Sequence, residues 1–99
     1  MGWKYVENFK TIYLILNTLE KSMDLAQCNL DSISHERCKI SEERWIKYIE
    51  MLRDAGYIKG VSMLKYINGE TMIDARDIRI TLKGLEYLSE NPIMRRYRI

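Results

Sequence analysis

The sequence predicts an α+β fold, mainly α, arranged as a winged helix-turn-helix with a three-helix core, a β-hairpin wing and a C-terminal helix. Two stretches carry this prediction. Residues 41–56 combine a capping serine, an amphipathic pattern and a terminal glycine, which together are typical of a helix. Asn68-Gly69 lies between two runs rich in β-branched and aromatic residues, which is a strong hairpin signal. Because the chain has only 99 residues, we expect residues 1–99 to form one domain.

The first helix is predicted over residues 3–20. Its apolar residues recur at helical spacing and define one buried stripe, consisting of Val6, Phe9, Ile12, Tyr13, Leu16 and Leu19. Leu14 falls on the polar side of this helix, so we expect it to be exposed. A single exposed leucine is ordinary, but beside a neighbouring apolar patch it would serve as a dimer contact.

The second and third helices are predicted to form the helix-turn-helix unit. Asp31 is expected to cap a short helix that runs to about residue 37, and residues 38–40 form the turn. The third helix is capped by Ser41 and buries the stripe Trp45, Ile49 and Leu52. Its opposite stripe consists of Glu43, Lys47, Glu50 and Asp54. This stripe is mostly acidic and suits a solvated face with a Glu43–Lys47 pair better than a phosphate contact.

The wing is predicted as a strand over residues 57–67 and a return strand that begins near Thr71. A type I′ turn at Asn68-Gly69 would join them, which requires a positive φ at both residues. Ile78 and Ile80 alternate with polar neighbours and indicate the half-buried end of the return strand.

Two further helical segments are predicted after the wing. Thr81 can cap a helix whose inward-facing residues are Leu82, Leu85 and Leu88. Pro92 suits the first position of a final helix over residues 92–99, with Ile93, Met94 and Tyr97 as its apolar members.

Composition restricts the classes of function. The net charge is only +2, which is not the strongly basic balance of a sequence-independent nucleic-acid binder, and the excess of bases lies in residues 76–99. The longest apolar run, residues 12–16, is far too short to span a membrane, and the N-terminus has no signal-peptide pattern. We therefore expect a cytoplasmic protein whose cysteines, Cys28 and Cys38, are reduced thiols.

Catalytic and metal-binding patterns are not evident. His35 has only neighbouring serines as partners, which is too local for a nucleophile with its base and orienting group. Cys28, His35 and Cys38 lack the fourth ligand and the closely spaced cysteine pair of a zinc site. We therefore expect no enzyme activity, no cofactor, no metal and no small-molecule substrate. Of the seven tyrosines, Tyr48 and Tyr66 lie off the apolar stripes and are candidates for stacking on bases.

Three segments carry a family resemblance. Residues 40–43 read Ile-Ser-Glu-Glu, residues 51–60 read Met-Leu-Arg-Asp-Ala-Gly-Tyr-Ile-Lys-Gly, and residues 80–88 read Ile-Thr-Leu-Lys-Gly-Leu-Glu-Tyr-Leu. In order and spacing they resemble the YjcQ-like family, small winged-helix proteins of Bacillus-type bacteria and their phages. The resemblance implies the fold, with DNA binding presumed from architecture. Where relatives carry a glycine before the third helix this chain has Lys39, which would be strained if that position needs a positive φ.

Two functional hypotheses follow. The first is a DNA-binding module of a phage or prophage regulator, which would act as a homodimer on double-stranded DNA through Arg37, Lys39, Arg44, Lys47, Tyr48 and Lys65. The second is a protein-interaction module without DNA binding, with Leu14, Met51, Ile93, Met94 and Tyr97 as contacts. Analogy of family and fold favours the first hypothesis, whereas surface charge alone favours the second.

Overall fold

The computed structural model describes the backbone of residues 3–97 and the side chains of residues 8–97. Its helices are α1 (Trp3–Lys21), α2 (His35–Cys38), α3 (Glu42–Asp54), α4 (Leu82–Glu90) and α5 (Pro92–Arg96), with 3₁₀ helices at Ser22–Asp24 and Leu30–Ile33. Its strands are β1 (Ile58–Lys59), β2 (Ser62–Lys65), β3 (Thr71–Asp74) and β4 (Arg79–Ile80). The predicted α+β class, mainly helical with a small antiparallel hairpin, is confirmed. No helix in this part of the chain is long and apolar enough to cross a membrane.

Helix α1 is the central element of the core. Its predicted range was nearly correct, and Leu16 and Leu19 are buried as expected, whereas Val6 lies outside the residues whose side chains are described. Ile15 is also fully buried, although the predicted stripe omitted it. The buried arc is wider than one stripe because α1 packs against the 3₁₀ helix Leu30–Ile33 as well as against β4, α4 and α5.

The predicted second helix is wrong, because the segment divides at Ser34. Asn29 Oδ1 accepts a hydrogen bond from the Asp31 N–H at 3.1 Å and starts the 3₁₀ helix Leu30–Ile33. Ser34 is extended, and its Oγ accepts from the Arg37 N–H at 3.2 Å to start α2. Each cap satisfies an orphan donor at a helix N-terminus, so two short helices replace one.

Lys39 ends α2 in the left-handed conformation, with φ 59° and ψ 44°. It is the one non-glycine residue with a positive φ among residues 3–97. The Lys39 N–H bonds Glu36 O, and the Ile40 N–H bonds His35 O, which together form a Schellman motif. The strain expected for a lysine at this position is therefore present.

Helix α3 matches its prediction closely. Ser41 Oγ accepts from the Arg44 N–H at 3.1 Å, and Gly56 follows the helix with φ +82°. Ile49 and Leu52 are buried, and the Trp45 indole N–H donates to Ile33 O at 2.6 Å. The indole therefore ties α3 to the segment before α2.

The strands form two antiparallel pairs instead of one long hairpin. Pair β1–β4 aligns Ile58 with Ile80, and pair β2–β3 aligns Leu64 with Met72. The predicted type I′ turn is wrong, because Asn68 does not have a positive φ. The connection has three residues, 67–69, closed by a bond from the Gly69 N–H to Tyr66 O, with Gly69 at φ +88°. Three-residue hairpin loops place a left-handed glycine at this position.

Helix α4 is capped as predicted, since Thr81 Oγ1 accepts from the Gly84 N–H at 3.0 Å. Leu88 is buried, but the prediction that Leu82 faces inward is wrong, because this first residue of the helix is 73% exposed. Asn91 caps α5, which begins at Pro92 and buries Met94. The final helix was predicted to run to residue 99; the structure ends it at Arg96, and residues 98–99 lie outside the described residues.

Gly84 allows α4 to touch the backbone that follows α3. A β-carbon at this position would lie 2.2 Å from Tyr57 O and 2.7 Å from Ile80 Cγ1. Beside this contact the rings of Tyr57 and Tyr87 stack with centroids 4.5 Å apart. The absence of a side chain at residue 84 therefore sets the distance between α4 and the core.

We predict that Gly84→Ala lowers the free energy of unfolding by roughly 3 kcal/mol, the upper part of the range for overpacked cores. On an open helix face the same change would raise the free energy of unfolding by about 1 kcal/mol. The sign of the measured change therefore shows whether residue 84 contacts Tyr57. Urea denaturation measures it. Ser89→Ala, at an exposed position of the same helix, is the control and should stay within about 0.5 kcal/mol of the wild type. Equal stability of the two variants would contradict the contact.

We predict that Lys39→Gly raises the free energy of unfolding by up to about 1 kcal/mol, because glycine adopts a positive φ without steric cost. Lys39→Ala is the matched control, since it removes the same charge but keeps the strained conformation. The comparison is made by the urea midpoints of the three proteins. If Lys39→Gly were no more stable than Lys39→Ala, backbone strain at residue 39 would not be the cause.

Candidate functional site

The outward stripe of α3 is the first surface to consider, because this helix was predicted to enter a DNA groove. Glu43, Lys47 and Asp54 are exposed, and Glu50 is half-buried. Salt bridges among residues 8–97 join Arg53 to Asp54 at 3.4 Å and Arg76 to Asp74 at 2.9 Å, so the predicted Glu43–Lys47 pair is absent. The stripe is therefore a solvated acidic surface.

Two of the predicted DNA contacts are engaged within the protein. Tyr48 is only 4% exposed, so the prediction that it faces a groove is wrong. Its hydroxyl donates to Asn8 Oδ1 on α1. Arg44 Nη1 donates to the same oxygen at 2.9 Å and to the Tyr48 hydroxyl at 3.4 Å. The side chains of Arg44 and Tyr48 therefore link α3 to α1. Tyr48 lies one turn before the buried Leu52, on the edge of α3 that faces α1.

The other four predicted DNA contacts are exposed. Arg37 and Lys39 lie at the end of α2, immediately before α3, and Lys47 lies on α3. Lys65 lies in β2, opposite Thr71 of β3. The structure thus leaves these four bases exposed at the end of α2, on α3 and on the hairpin, beside an α3 stripe that is mostly acidic.

The predicted partner contacts divide into two groups. Leu14 and Met51 are exposed, as the second hypothesis requires. The prediction for Met94 is wrong, because its side chain is fully buried where α5 packs on α4 and α1. Ile93 is half-buried against the same core, and the ring of Tyr97 lies 5.6 Å from that of Tyr13. The apolar residues of α5 therefore dock the C-terminal helix.

An apolar surface that the sequence analysis did not identify lies on the exposed face of the hairpin and reaches the concave surface between the hairpin and α3. Leu64 and Met72 are direct cross-strand partners and are 56% and 53% exposed. The Tyr66 hydroxyl donates to Met72 Sδ at 3.4 Å, and Ile67 is fully exposed in the connecting loop. We call Leu64, Tyr66, Ile67 and Met72 the hairpin patch. The sequence signal was the apolar pair Met63-Leu64, since successive residues of a strand point to opposite faces.

The concave surface between α3 and the hairpin has a volume of about 310 Å³. Two acids line it, Glu42 from α3 and Glu70 from the hairpin loop, and its lining includes no lysine or arginine. Its other walls are apolar or hydroxylated: Trp45, Ile46, Tyr66, Thr71, Met72 and Ile73. This concavity therefore offers no positive charge to a phosphate backbone.

A second feature absent from the sequence analysis is a groove of about 720 Å³ beside the β1–β4 pair. Lys59 and Arg79 are cross-strand partners on its wall, and both are exposed. Arg76 also lines the groove, and its Nε and Nη2 donate to the Asp74 carboxylate, which holds the pKa of that carboxyl below its usual value. The lining also includes one acid, Asp77, and the polar residues Ser22, Gln27 and Thr81. Its most exposed apolar residues are Met23, Leu25 and Leu82. We call this feature the basic groove.

The reactive side chains of residues 8–97 include the thiol of Cys38. Burial raises the pKa of the Cys38 thiol, which disfavours the nucleophilic thiolate. Within residues 8–97, no three side chains of His, Cys, Asp or Glu are placed to hold one metal ion.

Comparison with known proteins identifies a family. No curated protein and no solved structure matches the chain. The sequence profile of the family described as YjcQ protein matches residues 13–98, which is most of the chain and includes α2, α3, the hairpin and α4. This match confirms the resemblance found in the sequence, and the chain therefore belongs to the YjcQ protein family.

Proposed function

We propose that this protein is a non-catalytic protein-interaction module of the cytoplasm, built on a winged-helix scaffold. The hairpin patch is the observation that carries the proposal. Exposed apolar patches mark interaction sites, whereas natural edge strands are normally protected by charges or proline. Here Leu64, Tyr66 and Met72 lie together on a two-stranded sheet, beside the fully exposed Ile67.

The winged-helix assignment rests on the order and the joints of the elements. Helices α2 and α3 are connected by a tight turn at Lys39 and Ile40, and α3 is capped immediately afterwards by Ser41. The hairpin β2–β3 follows α3, and α4 follows the hairpin. This is the sequence of parts in a helix-turn-helix unit with a wing.

The patch has the composition of a protein interface. Aromatic residues and methionine are enriched at the centres of such interfaces, and a tyrosine offers a large rigid contact area with a polar end. Tyr66 and Met72 already contact each other through the hydroxyl and the sulfur, which limits the freedom that binding would have to remove. A partner with an apolar surface would bury Leu64 and Ile67 beside them.

Electrostatics disfavour DNA at the same surface. The concavity between α3 and the hairpin contains Glu42 and Glu70 and no base. Arg44, the predicted groove contact nearest to the start of α3, bonds Asn8 and Tyr48. Like charges repel, so the acids of α3 would oppose a phosphate backbone brought against them.

DNA binding by a dimeric regulator is the second candidate function. One specific observation favours it: Arg37, Lys39, Lys47 and Lys65 are all exposed on the elements that a winged helix uses to bind DNA. In this arrangement Lys47 would reach the groove, and the other three residues would contact phosphates. Because their contribution is electrostatic, it would depend strongly on salt.

We predict that Leu64→Thr/Met72→Thr abolishes capture of the physiological partner from an extract of the source organism, because it removes the apolar centre of the hairpin patch. Threonine keeps the preference of both positions for a strand. Quantitative mass spectrometry of proteins retained on the immobilised wild type and the variant measures the effect. Leu14→Gln/Met51→Gln removes exposed apolar area elsewhere and serves as the matched control. If every retained protein also bound the hairpin variant, the patch would not be the interface.

We predict that labelled duplex DNA binds weakly at about 50 mM salt, and that any binding is lost at about 200 mM. The combined variant Arg37→Ala/Lys39→Ala/Lys47→Ala/Lys65→Ala tests the second candidate function, with Arg95→Ala/Arg96→Ala as a control on α5. Fluorescence anisotropy is the measurement. The contrary result is tight DNA binding by the wild type that is lost in the first variant and kept in the α5 variant. That result would overturn our preference for a protein partner and establish α3 and the hairpin as a DNA-binding surface.

A further inference from the structure

The basic groove has two like charges at opposite positions of its strand pair. Pairing of β1 with β4 places Lys59 directly opposite Arg79, and both point away from the buried pair Ile58 and Ile80. Like charges directly opposite each other in an antiparallel pair destabilise it. Within residues 8–97, no carboxylate lies within 4.0 Å of either cation. An anionic group seated against both cations would relieve the repulsion.

The chemistry of the groove specifies what kind of anion fits. Met23, Leu25 and Leu82 form its apolar wall, and each exposes more than half of its side chain. A phosphate backbone would neutralise the cations but leave this wall uncovered. An occupant that neutralises the cations and also covers the apolar wall carries carboxylates next to apolar side chains. One face of an amphipathic acidic helix has this composition.

The chain itself presents such a helix face. Glu50 and Asp54 lie one turn apart on α3, and Met51, which is exposed, lies on the flank of the same stripe. Residues i and i+4 of a helix have β-carbons about 5–6 Å apart. Cross-strand partners such as Lys59 and Arg79 have β-carbons about 4.5–5.5 Å apart. The two pairs therefore match in spacing as well as in charge.

We propose that the basic groove binds α3 of a second copy of this chain. Glu50 and Asp54 of one copy face Lys59 and Arg79 of the other, and Met51 lies against the apolar wall. Asp54 also contacts Arg53 of its own chain, but this exposed pair is weak and leaves the carboxylate available. The surface is separate from the hairpin patch, so this association is independent of the proposed partner binding.

Sedimentation velocity at protein concentrations up to roughly 1 mM, the range of weak dissociation constants, tests the proposal at about 50 mM salt. We expect self-association, and we expect about 500 mM salt to weaken it because exposed charges are screened. Lys59→Glu/Arg79→Glu should weaken it at least about tenfold, and so should Glu50→Lys/Asp54→Lys. The variant that combines all four substitutions should restore self-association, because the charges are then exchanged across the contact. The substitutions Glu50→Lys and Asp54→Lys lie in the last turns of α3, where the helix dipole favours cations.

Two controls separate this contact from other causes. Arg95→Glu/Arg96→Glu on α5 changes the net charge as much as the groove variant does and should leave association unchanged. Leu64→Thr/Met72→Thr should also leave it unchanged, because the hairpin patch is not involved. Circular dichroism establishes that each variant is folded. A protein that stays monomeric at low salt, or association that the four-fold variant fails to restore, would overturn the proposal.

Discussion

Thr81 joins three parts of this fold. Its Oγ1 accepts the Gly84 N–H that starts α4 and donates to Gly56 O at the end of α3. Its own N–H bonds Tyr57 O. One threonine therefore connects the end of α3, the base of the strands and the start of α4. The contact of Gly84 with Tyr57 depends on this junction, and so does the direction in which the hairpin leaves the core.

The link between α1 and α3 decides which side chains remain for binding. Asn8 on α1 accepts hydrogen bonds from both Arg44 and Tyr48. Tyr48 is buried in this network, whereas Arg44 is bonded within it but stays exposed. The exposed charged residues of α3 are then Glu42, Glu43, Asp54, Arg44 and Lys47, with acids in excess, while the hairpin exposes Leu64, Tyr66, Ile67 and Met72. This distribution is the physical reason for preferring a protein partner to DNA.

The parts predicted correctly are those that depend on local chemistry. Ser41 and Thr81 each cap a helix through a bond to a residue three positions away, and Gly56 follows α3 with a positive φ. Errors arose where two local signals compete. Asp31 was expected to start one helix, but Asn29 and Ser34 both cap and divide it. The Asn68-Gly69 turn was misassigned because the strand register, with Lys65 opposite Thr71, leaves a loop of three residues.

The sequence by itself determined the places of α1, α3, α4 and the hairpin, the caps at Ser41 and Thr81, the acidic stripe of α3 and the family. These follow from periodicity and from bonds between residues close in the chain. Only the tertiary structure decided that Tyr48 and Met94 are buried, that Leu64 and Met72 share an exposed face, and that Lys59 lies opposite Arg79. Each of these depends on which distant segment covers or pairs with the residue, so no local pattern contains the information.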